Sequence, residues 1–268
     1  MIADYHMHTH FSSDCDAEPV LLVEKAISLG MDEICFTDHV DFDYPKEDEK
    51  TMFRIDATGY FEEISRLKDT YNGKIKIKTG IEAGLNRAND EAVNSLLCAY
   101  PFDFVIGSSH IVDGIDPYYT EYWKNVSPKE AVYRYYEAVL SNVTLFDNYD
   151  VYGHLDYIRR YIPSESYVYS FSDFADILDT ILINIITKGH GIELNTRGLE
   201  KGITDFVPTI MIMSRYKQLG GEIITIGSDA HQVAKLGYGF RTARDILINT
   251  GFKYYTTFED RQPLFIPL

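Results

Sequence analysis

The chain has 268 residues, of which 45% are hydrophobic, and it carries a formal net charge of −16. This length allows one domain with a full core, and an acidic chain without a basic run argues against a nucleic-acid or membrane partner. Its three cysteines lack disulfide-like spacing, and no signal-like N-terminus or apolar span of about twenty residues is visible, so a cytoplasmic protein is expected.

Predicted strands and helices alternate along the whole chain. The predicted strands cover residues 2–5, 33–39, 74–81, 102–110, 149–153, 191–195 and 222–231. The first predicted helix opens at Glu18 and Pro19, and the others cover residues 60–71, 89–100, 128–146, 170–188, 208–219 and 242–249. Residues 253–257 form either a short eighth strand or a closing segment. No linker divides the chain, so residues 1–268 are expected to form a single domain.

This alternation predicts a parallel α/β architecture, because right-handed crossovers place the carboxyl ends of all strands on one side. An open doubly wound sheet gathers ligands only near its switch point, whereas a closed barrel collects every strand end around one cavity. Polar residues end nearly all the predicted strands. The pattern therefore favours a (β/α)7 barrel.

Histidines and carboxylates mark the ends of these strands. His6 and His8 lie two residues apart on an extended chain, so both side chains point to one face and can bind one cation. A single pair of this kind is weak evidence. The same position is occupied repeatedly, by His6, His8, His39, His110, His154 and His231. Glu82 and Asp229 follow apolar strands, where an unpaired carboxylate would cost several kcal/mol, so ligand roles are favoured for both.

Six motifs in chain order resemble the polymerase and histidinol phosphatase (PHP) family. They are His6-Met-His8-Thr9, Thr37-Asp38-His39, Gly80-Ile-Glu82, Ser109-His110, Gly153-His154-Leu-Asp156 and Ser228-Asp229-Ala-His231. The segments 153–160 and 228–240 are most similar to the histidinol-phosphate phosphatase branch. This resemblance implies a distorted (β/α)7 barrel of the PHP type, with two to three divalent ions (zinc, manganese or iron) at the carboxyl ends of the strands.

The resemblance also implies the ligand sets. The first ion would be held by His6, His8, Glu82 and Asp229, the second by Glu82, His110 and His154, and the third by Asp14, His39 and His231. Many members have a histidine where this chain has Asp14, and aspartate is an acceptable harder ligand. An interpretation of Asp14 as a cap or turn residue stays open.

The expected activity is hydrolysis of L-histidinol phosphate to L-histidinol and phosphate in histidine biosynthesis. Metal ions about 3.5–4 Å apart neutralise a phosphate dianion and lower the pKa of bound water, so we expect in-line attack by a metal-held hydroxide. His6, His8, Glu82 and Asp229 form the catalytic centre. His10 either joins them or lies exposed in a loop. Arg160 and Arg197 follow predicted strands and are expected to bind the substrate phosphate.

Other readings stay open. A PHP phosphoesterase could act on another small phosphomonoester or on phosphotyrosine, and a metal-binding module could lack catalysis. Two long loops, at residues 41–56 and 118–123, are either lids that bind the cationic groups of the substrate or ordinary solvated loops. The expected partner is a small phosphorylated substrate, with homo-oligomer formation left open.

Overall fold

The computed structural model describes residues 2–44, 53–163, 167–200 and 206–268. The strands are β1 (Ala3–Asp4), β2 (Glu33–Phe36), β3 (His39–Val40), β4 (Lys76–Gly84), β5 (Phe104–Ser108), β6 (Val151–Tyr152), β7 (Gly191–Asn195), β8 (Ile224–Gly227), β9 (Tyr254–Glu259) and β10 (Gln262–Pro267). The α-helices are α1 (Pro19–Ser28), α2 (Ala57–Thr70), α3 (Asp90–Ala99), α4 (Pro128–Leu145), α5 (Ala175–Thr187), α6 (Arg197–Glu200), α7 (Ile210–Gln218) and α8 (Phe240–Thr250).

The predicted parallel barrel is confirmed. Its strands follow the order β1-β2-β4-β5-β6-β7-β8, all neighbours are parallel, and the short β3 adds to β4. Backbone hydrogen bonds close the ring between its first and last strands: Tyr5 N donates to Ile226 O at 3.0 Å, and Asp229 N donates to His6 O at 2.7 Å. The helices between strands bury their apolar faces against this ring, as α5 does with Ile181 and Ile185.

Two local predictions need correction. The strand predicted at residues 74–81 continues to Gly84 as β4, so Glu82 lies inside it and not after it. Pairing explains the extension, because Glu82 stands opposite both His39 of β3 and Ile106 of β5. The helix predicted from residue 170 begins only at Ala175, after a single 3-10 turn.

The final segment is not an eighth barrel strand. β9 and β10 form an antiparallel hairpin that packs against the starts of the barrel strands, at the end opposite the histidines. Tyr5 donates its hydroxyl hydrogen to Phe258 O at 3.0 Å, and the Phe258 ring lies 4.9 Å from that of Phe104. Arg261 N donates to Asp103 O at 3.0 Å. The hairpin therefore covers one end of the barrel and leaves the other open. No helix in the described part of the chain is long and apolar enough to cross a membrane.

Candidate metal centre and phosphate site

The predicted ligands converge at the carboxyl ends of the barrel strands. They lie at the base of a cavity of about 970 Å³. His154 and Asp229 have positive φ values, 23° and 51°, which are uncommon for residues with a side chain. These two backbone positions follow β6 and β8. The unusual conformation at two predicted ligand positions is the kind of strain found at functional sites.

Glu82 lies at the centre of the cluster and is fully buried. Its Oε1 lies 2.7 Å from His154 Nε2 and 3.2 Å from His110 Nε2. Its Oε2 lies 3.1 Å from His6 Nε2 and 3.0 Å from His39 Nδ1. Burial alone would raise the pKa of Glu82, but His39, His6 and His110 lower it well below its usual value. Since His8 Nε2 also lies 3.5 Å from Oε2, the two oxygens face different sets of imidazoles, as those of a carboxylate shared between two ions would.

The first predicted set is compact. His6 Nε2 lies 3.1 Å from His8 Nε2, and Asp229 Oδ1 lies 3.5 Å from His8 Nε2 and 4.0 Å from His6 Nε2. All three side chains are buried, and together they could hold one ion. Asp229 therefore joins β8 to the pair of histidines that follows β1.

The third predicted set is nearer the solvent. Asp14 Oδ2 lies 3.0 Å from His231 Nε2 and 4.0 Å from His39 Nε2. The rings of His39 and His231 both lie beside His8, with centroids 4.2 and 4.1 Å from that of His8 and 5.8 Å from each other. The structure therefore brings Asp14 to the cluster of predicted ligands, although Asp14 lies in a loop and its side chain is partly exposed.

The chemistry of these donors fits divalent metals. His110 Nδ1 lies 3.0 Å from Asp41 Oδ1, and His110 Nε2 lies 3.2 Å from Glu82 Oε1 and 3.5 Å from His154 Nε2. Carboxylate-held imidazoles of this kind are common ligands of zinc and similar ions. Burial lowers the pKa of His8 and of His154, whereas at His6 and His110 the neighbouring carboxylates outweigh burial and raise the pKa.

The two predicted phosphate arginines also reach the cluster. Arg160 donates to Asp229 Oδ2 at 2.9 Å, and Arg197 donates to Asp229 Oδ1 at 2.7 Å. The Arg160 guanidinium also lies 5.4 Å from the Tyr157 ring centroid. Arg159 turns away from the cavity, toward Asp156 at 3.2 Å. Of the adjacent Arg159 and Arg160, the structure thus brings Arg160 to the cluster of predicted metal ligands.

His10 is not brought into the cluster. Its side chain is 40% exposed, lies 3.5 Å from Glu18, and stacks on Phe11. A catalytic role for His10 would need direct contact with the reacting groups, which this position does not provide. His190 lies at the other end of the barrel, where its ring stacks on that of Tyr149 with centroids 4.1 Å apart.

Sequence reasoning missed two carboxylates at the site. Asp41 lies 3.0 Å from His110 Nδ1 and 3.8 Å from His39 Nδ1. Glu193, fully buried in β7, lies 2.6 Å from His6 Nδ1. A charged residue in the middle of the apolar run 191–195 was the available signal for Glu193, because such a group is buried only with a partner.

Part of the cavity wall is aromatic and acidic. Asp116 is buried and accepts hydrogen bonds from Tyr44 at 3.2 Å and Tyr157 at 3.3 Å. Tyr118 and Tyr119, from the loop at residues 118–123, also line the cavity. Residues 45–52 of the acidic loop lie outside the described residues, so the lid prediction for that part stays a prediction.

Comparison with known proteins agrees with this barrel. The profile of the PHP domain family matches residues 4–197, and the chain belongs to this family. The chain is 37% identical to the histidinol-phosphatase of Lactococcus lactis over 257 residues, which are 95% of this chain and 93% of the relative. It is 32% identical to a probable histidinol-phosphatase of Clostridium acetobutylicum, with 94% and 95% covered. The crystal structure of the Lactococcus lactis histidinol phosphate phosphatase, complexed with zinc, L-histidinol and phosphate, has a TM-score of 0.91 at 35% identity and 98% coverage of both chains.

Proposed function

We propose that this protein is a metal-dependent phosphatase that hydrolyses L-histidinol phosphate to L-histidinol and phosphate, a step of histidine biosynthesis. The observation that carries the proposal is Glu82, a buried carboxylate with imidazoles on both of its oxygens, beside two arginines at the base of one cavity. The Lactococcus lactis relative, complexed with L-histidinol and phosphate, supports the substrate.

Two to three divalent ions, of zinc, manganese or iron, complete the site. His6, His8, Glu82 and Asp229 hold the first. Glu82, His110 and His154 hold the second, and Asp14, His39 and His231 hold the third. When bound, these ions neutralise the charge of the phosphoryl oxygens and activate a water molecule for attack on phosphorus. The zinc in the Lactococcus lactis structure supports zinc as one occupant.

The residues of the chain bind and orient the phosphate. Arg160 and Arg197 converge on the cavity from β6 and β7, where their guanidinium groups match the geometry of phosphoryl oxygens. Asp229 accepts hydrogen bonds from both groups at less than 3 Å, which keeps them beside the proposed metal ligands. The acidic and aromatic part of the cavity wall, with Asp116 and Tyr157, suits the cationic amine and imidazole of the leaving alcohol.

The proposal also includes a single domain and a cytoplasmic location. One hydrophobic core includes residues from Ala3 to Phe258, which supports treating residues 1–268 as a single domain. All three cysteines are free thiols, which supports a reducing compartment such as the cytoplasm.

The test is phosphate release by protein that has been stripped of metal and reloaded separately with zinc, manganese or iron(II). We expect no turnover without metal, and a kcat/KM for L-histidinol phosphate at least tenfold above that for phosphotyrosine, glycerol phosphate and an aryl phosphate. A higher kcat/KM for another monoester would assign that substrate instead. Full metal loading without phosphate release from any monoester would support a non-catalytic module.

A further inference from the structure

β7 supplies none of the proposed metal ligands, yet two of its polar side chains are fully buried beside them. Glu193 and Asn195 are two residues apart on the strand, so both point into the barrel. A buried carboxylate is tolerated only where donors satisfy it. The contacts of Glu193 therefore indicate what it does.

Both oxygens of Glu193 accept hydrogen bonds from the metal cluster. Oε1 lies 2.6 Å from His6 Nδ1, and Oε2 accepts the backbone N–H of His154 at 2.9 Å. The Asn195 amide lies 3.3 Å from each oxygen and fixes the plane of the carboxylate. Glu193 thus contacts a ligand of the first proposed ion and the backbone of a ligand of the second.

The contact with Glu193 determines which nitrogen of His6 is free. A carboxylate accepts but does not donate, so the His6 Nδ1 carries the hydrogen. The other nitrogen, Nε2, lies 3.1 Å from both His8 Nε2 and Glu82 Oε2, so an ion bound among these proposed ligands would take the lone pair of that nitrogen. This orientation is the one in which His6 can bind an ion shared with His8.

The neighbouring strands leave space for this carboxylate. A Cβ atom at Gly227 would lie 2.3 Å from Glu193 Oε1 and 2.4 Å from the Cβ of His6. A Cβ atom at Gly153 would lie 3.5 Å from Glu193 Oε2 and 2.6 Å from a methyl group of Ile106. Larger residues at position 227 would displace Glu193 or His6, so the glycine belongs to the same arrangement.

Asn195 extends the arrangement to the phosphate site. Its Nδ2 donates to Asp229 Oδ2 at 3.2 Å, and its Oδ1 accepts from Arg160 at 3.1 Å and from the backbone N–H of Arg197 at 3.0 Å. The polar residues of β7 thus contact ligands and phosphate-binding residues from three other segments.

We propose that Glu193 is a positioning residue that holds His6 as the Nδ1–H tautomer and presents its Nε2 to the metal. This inference rests on the proposed metal-dependent function. Glu193 touches neither substrate nor metal in this role. It acts through His6, and its removal should weaken metal binding more than it weakens the fold.

The variant Glu193→Gln tests this role at nearly constant volume. Glutamine has one acceptor oxygen, whereas His6 Nδ1–H and His154 N–H need two, so one donor loses its partner or His6 changes tautomer. We expect a ten- to hundredfold weaker zinc affinity in a competition titration with a chelating dye. The matched control is Glu33→Gln, a buried glutamate on β2 that bonds to Tyr5 and is expected to keep zinc affinity within about twofold.

A second measurement uses the unaltered protein. Nitrogen-15 histidine spectra of the zinc-loaded protein, with the His6 signals assigned by their loss in His6→Gln, should show a protonated Nδ1 and a metal-bound Nε2. A protonated Nε2 in His6, or a Glu193→Gln protein with unchanged zinc affinity, would overturn the inference. Neither readout involves substrate, so a failure to hydrolyse L-histidinol phosphate would count against the proposed function alone.

Discussion

Replacing Arg160 by lysine tests the phosphate site most directly. The Arg160 side chain is only 3% exposed, and it bonds to Asp229 at 2.9 Å and to Asn195 at 3.1 Å. A lysine keeps the charge but cannot present two parallel N–H groups to a phosphate. Loss of one charge-assisted hydrogen bond costs about 1.5–3 kcal/mol, which corresponds to about ten- to a hundredfold in kcat/KM.

The assay is phosphate release from L-histidinol phosphate, together with inhibition by inorganic phosphate. We expect kcat to fall as well as KM to rise, because a contact with the phosphoryl group tightens as charge develops in the transition state. Phosphate inhibition should weaken in parallel. The matched control is Arg215→Lys, which breaks a two-point contact with Asp179 on the surface and should leave turnover unchanged. Inorganic phosphate binding in Arg160→Lys as tight as in the unaltered enzyme would show that Arg160 does not bind the phosphate.

Two further predictions concern metal content and pH. Glu82→Gln should lose more bound metal than His231→Ala, because both oxygens of Glu82 face imidazoles. Full metal occupancy of Glu82→Gln by elemental analysis would contradict a ligand shared between two ions. Burial, assisted by Lys188, lowers the pKa of His190 to about 4. The unfolded chain then binds more protons than the fold between pH 4 and about 6.5, so stability present above pH 6.5 is lost as the pH falls. We expect the free energy of unfolding, measured with denaturant, to fall between pH 7.5 and pH 4.5 by about 1–2 kcal/mol less in His190→Phe than in the unaltered protein, a figure halved for solvent screening. An equal fall in both proteins would argue against the lowered pKa.

The barrel could be predicted from the sequence because its signals are local. Each buried strand is a short apolar run, and each run is followed by a polar residue at the carboxyl end. Strand direction then places His6, His110 and Asp229 together without knowledge of any distance. The same logic left the segment at residues 253–257 open between an eighth strand and a closing segment, because an antiparallel hairpin and a parallel strand have similar apolar patterns. Only contacts such as Phe258 with Phe104 distinguish them.

The partners of the ligands could not be predicted in the same way. Glu193 acquires its role from His6, which lies 187 positions earlier in the chain, and nothing in the local pattern of β7 names that partner. Asp41 is similar, since its contact with His110 spans 69 positions. The exposure of His10 also depends on the folded loop. His10 follows His8 by two residues, a spacing that would place both side chains on one face of a strand, but the chain turns at residue 10.

The terminal hairpin has a consequence for synthesis of the protein. Tyr5, directly before His6, donates its hydroxyl hydrogen to Phe258 O, 253 positions later in the chain. The backbone of residues 5–8 also forms hydrogen bonds with residues 226–230, which close the barrel. At about 5–20 residues per second on the ribosome, the first strand waits on the order of ten seconds or more for these partners. The His6–His8 pair therefore cannot meet Asp229 while most of the chain is still being made. We expect the proposed first ion to be acquired only after residues 226–230 have been made and have paired with the first strand.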